Sequence, residues 1–476
     1  MLCAIFTAKN KYMNLIGRVA ECRELKRLKE SDSPEFVAIY GRRRVGKTYL
    51  VKEFFNYSFT FYTSGLARGT MKDQLRTFWQ SMVEYGLPES TPCPKDWFEA
   101  FDELKTVITS SKDKRKVVFI DELPWLDTQK SKFVTALDRF WNTWASEHPE
   151  ILLIGCGSAA SWMVKNIIKN KGGLHNRITS KIKLLPFTLA ETNEFLNSKK
   201  IRWNKKLVAE TYMILGGVPY YLSLLDKNRS LYQNIDDFFF RSGSKLEDEF
   251  DNLYSSLFKK SAEYVKIVEL LSKKKSGYIR NEIVAGLKCK DGGSLTRKLE
   301  ELEHCGFIRK YRSLGENANT YQLVDFFTLF YLQFVKKQSL QDNFTWTSMI
   351  GTHQYSTWKG LAFEKLCFSQ ADKIRSALGI SGVITQTFPF YDDKMQLDMV
   401  IVRKDNAISL CEMKWSEGVY ALTTSDKAKV GTRRDALMQI FKNKVIYIVF
   451  VTSSGLVEND YTRDNVNNVV TLEELF

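Results

Sequence analysis

The stretch FVAIYGRRRVGKTYLVKEF joins a short apolar run, a glycine-rich loop and the start of an amphipathic helix. Glycines at 41 and 46 let the loop wrap closely around phosphate groups, whose oxygens would meet backbone N–H groups at the helix N-terminus. Lys47 would reach the terminal phosphates, and the Thr48 hydroxyl would ligate Mg²⁺. The pattern therefore predicts a nucleotide-phosphate site, whose candidate binding residues are Gly41, Arg42, Arg43, Arg44, Val45, Gly46, Lys47, Thr48 and Tyr49. The three arginines are expected to be mostly solvated, and contact with phosphate or nucleic acid is the alternative.

Two further apolar runs end in residues that suit the same chemistry. KVVFIDELPW ends in Asp121, which could hold the magnesium shell, and Glu122, which could orient or deprotonate an attacking water. The alternative is a solvated acidic turn. ILLIGCGSAASWM ends near Ser158, whose hydroxyl could sense a γ-phosphate or, alternatively, cap the following helix.

A second candidate centre lies in QLDMVIVRKDNAISLCEMKW. If this hairpin turns about Asp405, Asp398 faces Glu412, and the period of two places Lys414 on the same face as Glu412. Facing carboxylates repel, and a divalent cation between them would relieve the conflict. Such an ion could activate water while Lys414 stabilises charge on a scissile phosphate, with Glu364 of a preceding helix as a further ligand. The alternative is a plain surface hairpin.

The elements around these residues alternate between apolar strands and helical stretches, which predicts a parallel sheet sandwiched by helices. A T-x-x-E capping box at Thr188 and Glu191 predicts a helix start there. From residue 262, three short helices and a glycine-containing hairpin follow the winged-helix plan. Its third helix would present Ser294, Arg297 and Lys298 to a DNA major groove, whereas Glu300, Glu301 and Glu303 would repel phosphate, so a role in domain packing is the alternative.

Length and charge set the frame. At 476 residues the chain should form about three domains. Its 70 basic and 55 acidic residues leave a net charge of +15, which suits a polyanionic partner but also a generic basic surface. The eight scattered cysteines form no C-x-x-C pair, as expected for buried thiols in a reducing cytosol, and no apolar run approaches the ~20 residues of a membrane span. We expect a soluble cytoplasmic protein, translated from Met1 or from Met13.

Several motifs together resemble the archaeal-type, AAA-related and STAND-like P-loop ATPases over about residues 13–230. They are Gly17 and Arg18 before a helix, YGRRRVGKT, FIDELPWLD, GCGSAASWM, GGLHNR and GGVPYYL. The resemblance implies ATP and Mg²⁺ as cofactors, base or ribose contacts near Gly17 and Arg18, and a lid contact at Gly217 and Pro219. Arg177 is the candidate arginine finger, acting on the ATP of a neighbouring subunit in a homo-oligomer; a solvated or backbone-pairing arginine is the alternative.

The D…E-x-K layout near the C-terminus is similar to the PD-(D/E)XK nuclease fold, and the region resembles the C-terminal region that accompanies these ATPases. It departs from that pattern in one place, since Leu397 rather than proline precedes Asp398. We expect an α/β chain with a P-loop ATPase domain (1–188), a helical lid (189–258), a winged helix (259–340) and a small α/β nuclease-like domain (341–476). The expected function is ATP hydrolysis by a protein that acts on or is regulated by DNA, with metal-dependent nuclease activity. The alternative is an ATP-controlled switch that binds DNA or a protein partner through an inactive nuclease-like domain.

Overall fold

The computed structural model describes residues 15–170, 172–174, 176–312, 318–338, 344–391 and 396–476. The alternative starts, Met1 and Met13, and the glycine-containing turn around Gly315 lie outside these ranges. The chain forms two compact units. One holds the residues up to Pro186 together with His304–Gly306, and the other holds Phe187–Glu303 and Phe307–Phe476.

The first unit is built on a five-stranded sheet with the strand order β2-β3-β4-β1-β5, in which all neighbours are parallel. Parallel strands buried on both faces read as continuous apolar runs, as residues 35–40, 116–121 and 151–157 do, whereas the two edge strands of this sheet are only partly buried. The strands are β1 (Glu35–Tyr40), β2 (Phe61–Ser64), β3 (Lys116–Asp121), β4 (Ile151–Gly157) and β5 (Ser180–Lys183).

Helices cover both faces of this sheet. Successive residues of β1 point to opposite sides, so that Phe36 and Ala38 enter one apolar core while Val37 and Ile39 enter the other. The predicted α/β sandwich is therefore confirmed. Its helices are α1 (Val19–Lys29), α2 (Lys47–Phe54), α3 (Met71–Glu84), α4 (Trp97–Ser110), α5 (Leu123–Leu126), α6 (Phe133–Thr143) and α7 (Ala160–Trp162), the last continuing as a π-helix over Met163–Ile168.

The second unit begins with a group of helices. The predicted capping box is confirmed, because Thr188 Oγ1 accepts from the N–H of Glu191 at 3.2 Å and Glu191 Oε2 accepts from the N–H of Thr188 at 2.8 Å. The helices are α8 (Leu189–Ser198), α9 (Lys205–Leu215), α10 (Pro219–Ser223), α11 (Leu231–Phe239) and α12 (Glu249–Leu257).

A small module with a three-stranded antiparallel sheet follows, in the strand order β6-β8-β7. The order of its elements is helix, strand, two helices and two strands. They are α13 (Ser261–Ser272), β6 (Tyr278–Ile279), α14 (Arg280–Leu287), α15 (Gly293–His304), β7 (Ile308–Arg312) and β8 (Asn319–Leu323). We call these residues, 261–323, the three-stranded module.

Two of the residues expected to face DNA, Ser294 and Arg297, are exposed on α15. The third, Lys298, is partly buried and forms an ion pair with Glu263 of α13. Glu301 accepts a hydrogen bond from the Tyr264 hydroxyl, so this acid is engaged inside the module.

The remaining elements lead into a mixed sheet with the strand order β13-β12-β11-β10-β9. The β9, β10 and β11 strands pair antiparallel, whereas β11, β12 and β13 pair parallel. The elements are α16 (Phe326–Phe330), a π-helix (Tyr331–Val335), α17 (Lys336–Gln338), α18 (His353–Ser369), α19 (Ala371–Ala377), β9 (Thr385–Tyr391), β10 (Gln396–Arg403), β11 (Ala407–Lys414), α20 (Thr424–Ile440), β12 (Val445–Thr452), α21 (Asp460–Asn465) and β13 (Asn468–Thr471).

Two expectations about the whole chain can be compared with this fold. Among the described helices, none is long and apolar enough to cross a lipid bilayer. The cysteines within the described ranges are free thiols, but the expectation that they are buried is wrong for Cys93 and Cys289, which are exposed.

Candidate functional sites

The glycine-rich loop connects the end of β1 to the start of α2, and two of its positions require glycine. A Cβ at Gly41 would lie 2.1 Å from the Leu184 carbonyl oxygen, a separation that no side chain permits. Gly46 has a φ of 89°, in the left-handed region that glycine adopts without steric cost. The loop can therefore turn tightly enough to leave its backbone N–H groups around a phosphate-sized space.

Lys47 lies inside this loop. Its Nζ donates to the carbonyl oxygens of Gly41 at 3.1 Å and Arg42 at 3.0 Å, and to Ser158 Oγ at 2.9 Å. The side chain is only 5% exposed, so these three acceptors satisfy a nearly buried ammonium group. Its position at the helix N-terminus is the one that phosphate binding requires.

The two predicted acids stand at the end of β3. Thr48 Oγ1 donates to Asp121 Oδ2 at 2.6 Å, so a hydroxyl and a carboxylate oxygen lie together. This oxygen pair suits Mg²⁺, which prefers hard oxygen ligands, and it lies beside the loop that would hold the phosphates. Thr48 and Asp121 are thus the residues of this site that would hold the ion.

Glu122 has an unusual backbone conformation, with a φ of 49°. This left-handed conformation is strained for a residue other than glycine, which adopts it only where surrounding contacts stabilise it. Two hydrogen bonds from Ser158 position Glu122: its Oε1 accepts from Ser158 Oγ at 2.5 Å and its Oε2 accepts from the Ser158 N–H at 3.1 Å. Ser158 therefore connects Lys47 to Glu122. The alternative role as a helix cap is wrong, since the N-cap of α7 is Ala159.

Gly17 and Arg18 approach the same loop from the start of α1. Both have positive φ values, 63° and 57°, which turn the chain so that the Arg18 guanidinium donates to the Val45 carbonyl oxygen at 3.2 Å. Tyr49, on the outer side of α2, has an exposed ring. These residues lie around the loop. The base or ribose contacts of Gly17 and Arg18, and a nucleotide contact of Tyr49, stay predictions.

The three loop arginines differ from one another. We expected them to be mostly solvated, which is wrong for Arg42, because its side chain is only 3% exposed. Arg43 and Arg44 are partly exposed, and Arg44 has a φ of 73°. The buried side chain of Arg42 therefore points into the loop rather than into solvent.

The other predicted nucleotide contacts are less closely defined. Arg177 is exposed, with its backbone N–H donating to the Leu174 carbonyl oxygen. Gly217 belongs to the second unit, has a φ of 66° and accepts a hydrogen bond from the Phe187 N–H at 2.8 Å. Pro219 is the first residue of α10. A lid contact at Gly217 and Pro219 and a finger role for Arg177 stay predictions.

The second unit contains a pocket of about 270 Å³ that brings together the four residues predicted for the second centre. We call it the acidic pocket. Sequence reasoning did not identify four further charged or polar residues that line it. Its lining residues are Glu364, Gln396, Asp398, Glu412, Met413, Lys414, Asp426, Lys429, Val430 and Arg433.

The hairpin register predicted from a turn at Asp405 is confirmed, since the pairs run from Met399 with Cys411 to Val402 with Ile408. Asp398 is the next residue of β10 in that register, and its Oδ2 accepts from the Met413 N–H at 3.2 Å. On its other edge β10 shifts register against β9 between residues 397 and 400. Such irregularities re-aim side chains and are frequent beside active sites.

Glu412 is the most buried acid of the pocket, with 1% of its surface exposed. Burial, followed by the charge of Asp398, raises the pKa of Glu412 to about 7, although Arg433 acts in the opposite direction. The Arg433 guanidinium of α20 binds both carboxylate oxygens of Glu412. The carboxylate of Glu412 is thus paired with the guanidinium of Arg433 inside the pocket.

Lys414 is positioned by Asp426, whose Oδ1 accepts from its Nζ at 2.9 Å. Burial alone would lower the pKa of Lys414, but the hydrogen bond and the charge of Asp426 raise it overall. Asp426 also accepts from the hydroxyls of Thr423 and Tyr420, at 2.7 and 2.9 Å. A protonated lysine is therefore held at the wall of the pocket.

Glu364, on α18, forms an ion pair with Lys275 of the three-stranded module. Burial and the charge of Asp398 raise the pKa of Glu364 to about 7, against the effect of Lys275. Within the described ranges, no group of three His, Cys, Asp or Glu side chains is arranged to hold a metal ion. Three of the four pocket carboxylates pair with side-chain cations instead: Glu364 with Lys275, Glu412 with Arg433 and Asp426 with Lys414.

The donor set nevertheless has the chemistry that a hard divalent cation prefers, because Asp398, Glu364 and Glu412 supply only carboxylate oxygens. Loading the site would require Glu364 or Glu412 to exchange its internal cation for the ion. That these residues hold a metal stays a prediction.

Part of the missed lining had a signal in the sequence. T-T-S-D at Thr423–Asp426 is a T-x-x-D capping box that starts α20, and it fixes Asp426 near Lys414. Lys429 and Arg433 follow at helical spacing and so lie on one face of α20. The partnership of Lys275 with Glu364 had no local signal, since the two residues are far apart along the chain.

Comparison with known proteins bears on the first unit most strongly. Residues 15–225 match the family model of an ATPase domain found predominantly in Archaea. These residues are therefore similar to an archaeal-type ATPase domain. An uncharacterized protein of Methanocaldococcus jannaschii is 25% identical over 414 residues, which cover 84% of this chain and 88% of that protein.

Solved structures with similar features include a Walker-type ATPase of Pyrococcus abyssi, at 19% identity over 68% of this chain and 99% of that chain, with a TM-score of 0.49. The ORC2 protein of Aeropyrum pernix matches at 12% identity over 70% of this chain and 97% of that chain, with a TM-score of 0.43. A STAND protein of Pyrococcus horikoshii matches at 16% identity over 76% and 55%, with a TM-score of 0.31.

Proposed function

We propose that this chain binds ATP with Mg²⁺ at the glycine-rich loop and hydrolyses it. Lys47 would bind the β- and γ-phosphates, and Thr48 and Asp121 would hold the ion, which when bound neutralises phosphate charge. Glu122 would take the proton of the attacking water, and Ser158 would hold Glu122 in place. The observation that supports this is the continuous set of hydrogen bonds from Lys47 through Ser158 to Glu122.

Other residues complete the proposed nucleotide site. Gly17 and Arg18 would contact the base or ribose, and Gly217 and Pro219 would form the lid contact. Tyr49 would contact the nucleotide beside Thr48. In a homo-oligomer, the exposed Arg177 would act on the ATP of a neighbouring subunit, where an arginine can stabilise the charge of the transition state.

Two substitutions test the ATPase assignment. Lys47→Ala should lose nucleotide binding, because the phosphates lose their main cation, while Lys52→Ala in the same helix should bind normally. Glu122→Gln should bind ATP but release phosphate very slowly, since the amide cannot accept the proton. Normal phosphate release by Glu122→Gln would remove Glu122 from the role of base.

We further propose that the second unit acts on DNA and that the acidic pocket is a metal-dependent site for cleaving phosphodiester bonds. The single observation that supports this is the convergence of Asp398, Glu412, Lys414 and Glu364 on one pocket. Asp398 and Glu412 would hold the ion, which when bound activates water. Lys414, kept protonated by Asp426, would stabilise the charge on the scissile phosphate.

The DNA assignment has two further supports. The net charge of +15 suits a polyanion, and α15 exposes Ser294 and Arg297 on a module whose element order fits a winged helix. We propose that this module contacts duplex DNA and that the protein works in the cytoplasm. A salt-independent affinity for DNA would contradict a phosphate-based contact.

Incubation of the full chain with supercoiled plasmid, Mn²⁺ or Mg²⁺, and ATP tests the cleavage proposal. We expect nicked or linear product from the wild type and none from Asp398→Asn. The matched control is Asp405→Asn, because Asp405 pairs with Arg403 at the exposed hairpin turn, away from the pocket. Equal cleavage by Asp398→Asn and the wild type would exclude the acidic pocket as the cleavage site.

A second candidate function is an ATP-controlled switch whose nuclease-like domain binds DNA or a protein without cleaving it. The pairing of Glu412 with Arg433 and of Glu364 with Lys275 favours it, since both acids are neutralised internally. It predicts intact plasmid in the same assay, together with an affinity for DNA that differs between the ATP-bound and ADP-bound protein.

A further inference from the structure

Lys275 contacts Glu364, one of the residues that line the acidic pocket, from a separate part of the second unit. It lies between α13 and β6 in the three-stranded module, and its ammonium pairs with Glu364 of α18. The two side chains keep 24% and 18% of their surfaces exposed, so the pair is reachable from solvent. Lys273 and Lys274, next to it in the same segment, are exposed.

The segment that carries Lys275 is fixed by side chains of β7 and β8. Gln322 Nε2 donates to the Lys275 carbonyl oxygen at 2.5 Å, and the Tyr311 hydroxyl donates to that of Ser276. Arg309 donates to Gln322 Oε1 at 2.8 Å and lies 3.4 Å from the centre of the Phe368 ring on α18. The lysine is therefore presented to Glu364 from a defined position.

The Lys275–Glu364 pair matters because the acidic side chains of the pocket repel one another. Glu364 is close enough to Asp398 for that charge to raise its pKa, so the acids repel one another unless a cation lies among them. Lys275 supplies one positive charge, and a divalent ion would supply two. Because the ammonium lies against Glu364 Oε2, an oxygen that the ion could use as a ligand, the two cations compete for Glu364.

We propose that Lys275 is a removable counter-ion that keeps divalent cations out of the acidic pocket until nucleic acid phosphates on the three-stranded module draw it away. This rests on the proposed function of the pocket and adds its regulation. The exposed Lys273, two residues away, provides charge that attracts phosphate to the segment. Since binding linkage is reciprocal, DNA raises the affinity for the ion and the ion raises the affinity for DNA by the same factor.

The test measures binding of Mn²⁺ to the full chain without nucleotide, from the EPR signal of free Mn²⁺, with and without a short phosphorothioate DNA duplex. Asp398→Asn identifies the signal that belongs to the pocket. Without DNA, Lys275→Ala should bind Mn²⁺ roughly tenfold more tightly than the wild type, within the usual range of coupling between sites. Added duplex should tighten Mn²⁺ binding by the wild type and change that of Lys275→Ala little.

Two matched variants separate charge from position. Lys275→Arg keeps the positive charge and should retain the weak Mn²⁺ binding of the wild type. Lys274→Ala should also behave as the wild type, because Lys274 pairs with Glu282 at 2.7 Å and not with a pocket residue. If Lys275→Ala does not fold, Lys275→Gln keeps the length of the side chain and should show the same tighter binding.

The outcomes distinguish this proposal from the cleavage proposal. Mn²⁺ affinity that is the same in Lys275→Ala and the wild type overturns the counter-ion role, even if Asp398-dependent cleavage is observed. Tighter Mn²⁺ binding by Lys275→Ala without any cleavage supports the counter-ion role and overturns the nuclease activity. An absence of pocket-dependent Mn²⁺ binding in every variant overturns both.

Discussion

Replacement of Ser158 by alanine tests how the ATP site positions its base. The Ser158 hydroxyl accepts from Lys47 Nζ at 2.9 Å and donates to Glu122 Oε1 at 2.5 Å. Ser158→Ala removes both contacts and keeps the backbone N–H bond to Glu122 Oε2 at 3.1 Å. Glu122 should therefore stay near its position through Oε2 but lose the hydrogen bond to Oε1.

The magnitude follows from the charges involved. A hydrogen bond to a charged group contributes about 1.5–3 kcal/mol. If one such bond acts in the transition state, its loss lowers kcat by roughly 10- to 150-fold, because about 1.4 kcal/mol corresponds to a factor of ten. Nucleotide affinity should change little, since the loop backbone and Lys47 still bind the phosphates.

The assay is phosphate release at saturating ATP and Mg²⁺, combined with the affinity for a fluorescent ATP analogue. Ser158→Thr keeps the hydroxyl and should retain most of the rate. Ser161→Ala, on the neighbouring helix α7, should behave as the wild type and serves as the matched control. A wild-type kcat for Ser158→Ala would refute the positioning role, as would equal losses in the alanine and threonine variants.

Three further predictions concern the two units. Gly41→Ala should abolish nucleotide binding, because its Cβ would lie 2.1 Å from the Leu184 carbonyl oxygen and the loop must shift, as fluorescent ATP titration will show. Burial raises the pKa of Glu210 in the folded protein above its value in the unfolded chain. Stability that is present below the unfolded pKa is therefore lost as the pH rises through the folded pKa, by about 1.4 kcal/mol for each unit of pKa shift. Glu210→Gln lacks this ionisation and should lose less unfolding free energy than the wild type between pH 5 and pH 8 in urea titrations. Arg433→Met should destabilise the second unit by roughly 3–5 kcal/mol at pH 8 in the same titrations, because it leaves the buried carboxylate of Glu412 without its cation.

The glycine and arginine predictions each have a control substitution of the same residue type. A Cβ at Gly292 would meet nothing within 4 Å, so Gly292→Ala should leave nucleotide binding unchanged. Arg434 is more exposed and forms an ion pair with the exposed Asp435 at 3.5 Å, so Arg434→Met should change stability by less than about 0.5 kcal/mol. Nucleotide binding by Gly41→Ala, parallel pH curves for Glu210→Gln, or equal effects of the two arginine substitutions would contradict the respective arguments.

Much of the fold could be predicted from the sequence because its signals are local. The apolar runs at β1, β3 and β4 are continuous, as buried parallel strands require, and each carries its functional residue at or just beyond its carboxyl end. The register of the β10 and β11 hairpin followed from its turn alone. Asn406 has a φ of 61°, a conformation that asparagine tolerates in such turns.

The features that were not predicted depend on contacts between distant parts of the chain. Burial of Arg42 depends on the packing of the loop, whereas a run of three arginines reads as solvated. Arg433 reaches Glu412 from a helix 21 residues downstream, and Lys275 reaches Glu364 from another module. Neither pair shares a strand or a helix, so no periodicity could connect them.

The carboxylates of the second centre illustrate the same limit. Pairing along the hairpin correctly brought Asp398 and Glu412 to one pocket with Lys414. It could not show that Arg433 binds Glu412, since repulsion between facing acids can be relieved by a guanidinium as well as by a metal ion. The sequence thus indicated the need for a cation but not its identity.

The central claim is that the acidic pocket takes a divalent cation in order to act on DNA. A crystal structure of the full chain with a short duplex and Mn²⁺, with data collected at the manganese absorption edge, tests it most directly. We expect an anomalous peak within coordination distance of Asp398 and Glu412, with Lys414 facing a phosphate and Glu364 released from Lys275. A pocket without manganese, in which Arg433 still binds Glu412 and Lys275 still binds Glu364 beside bound DNA, would contradict it.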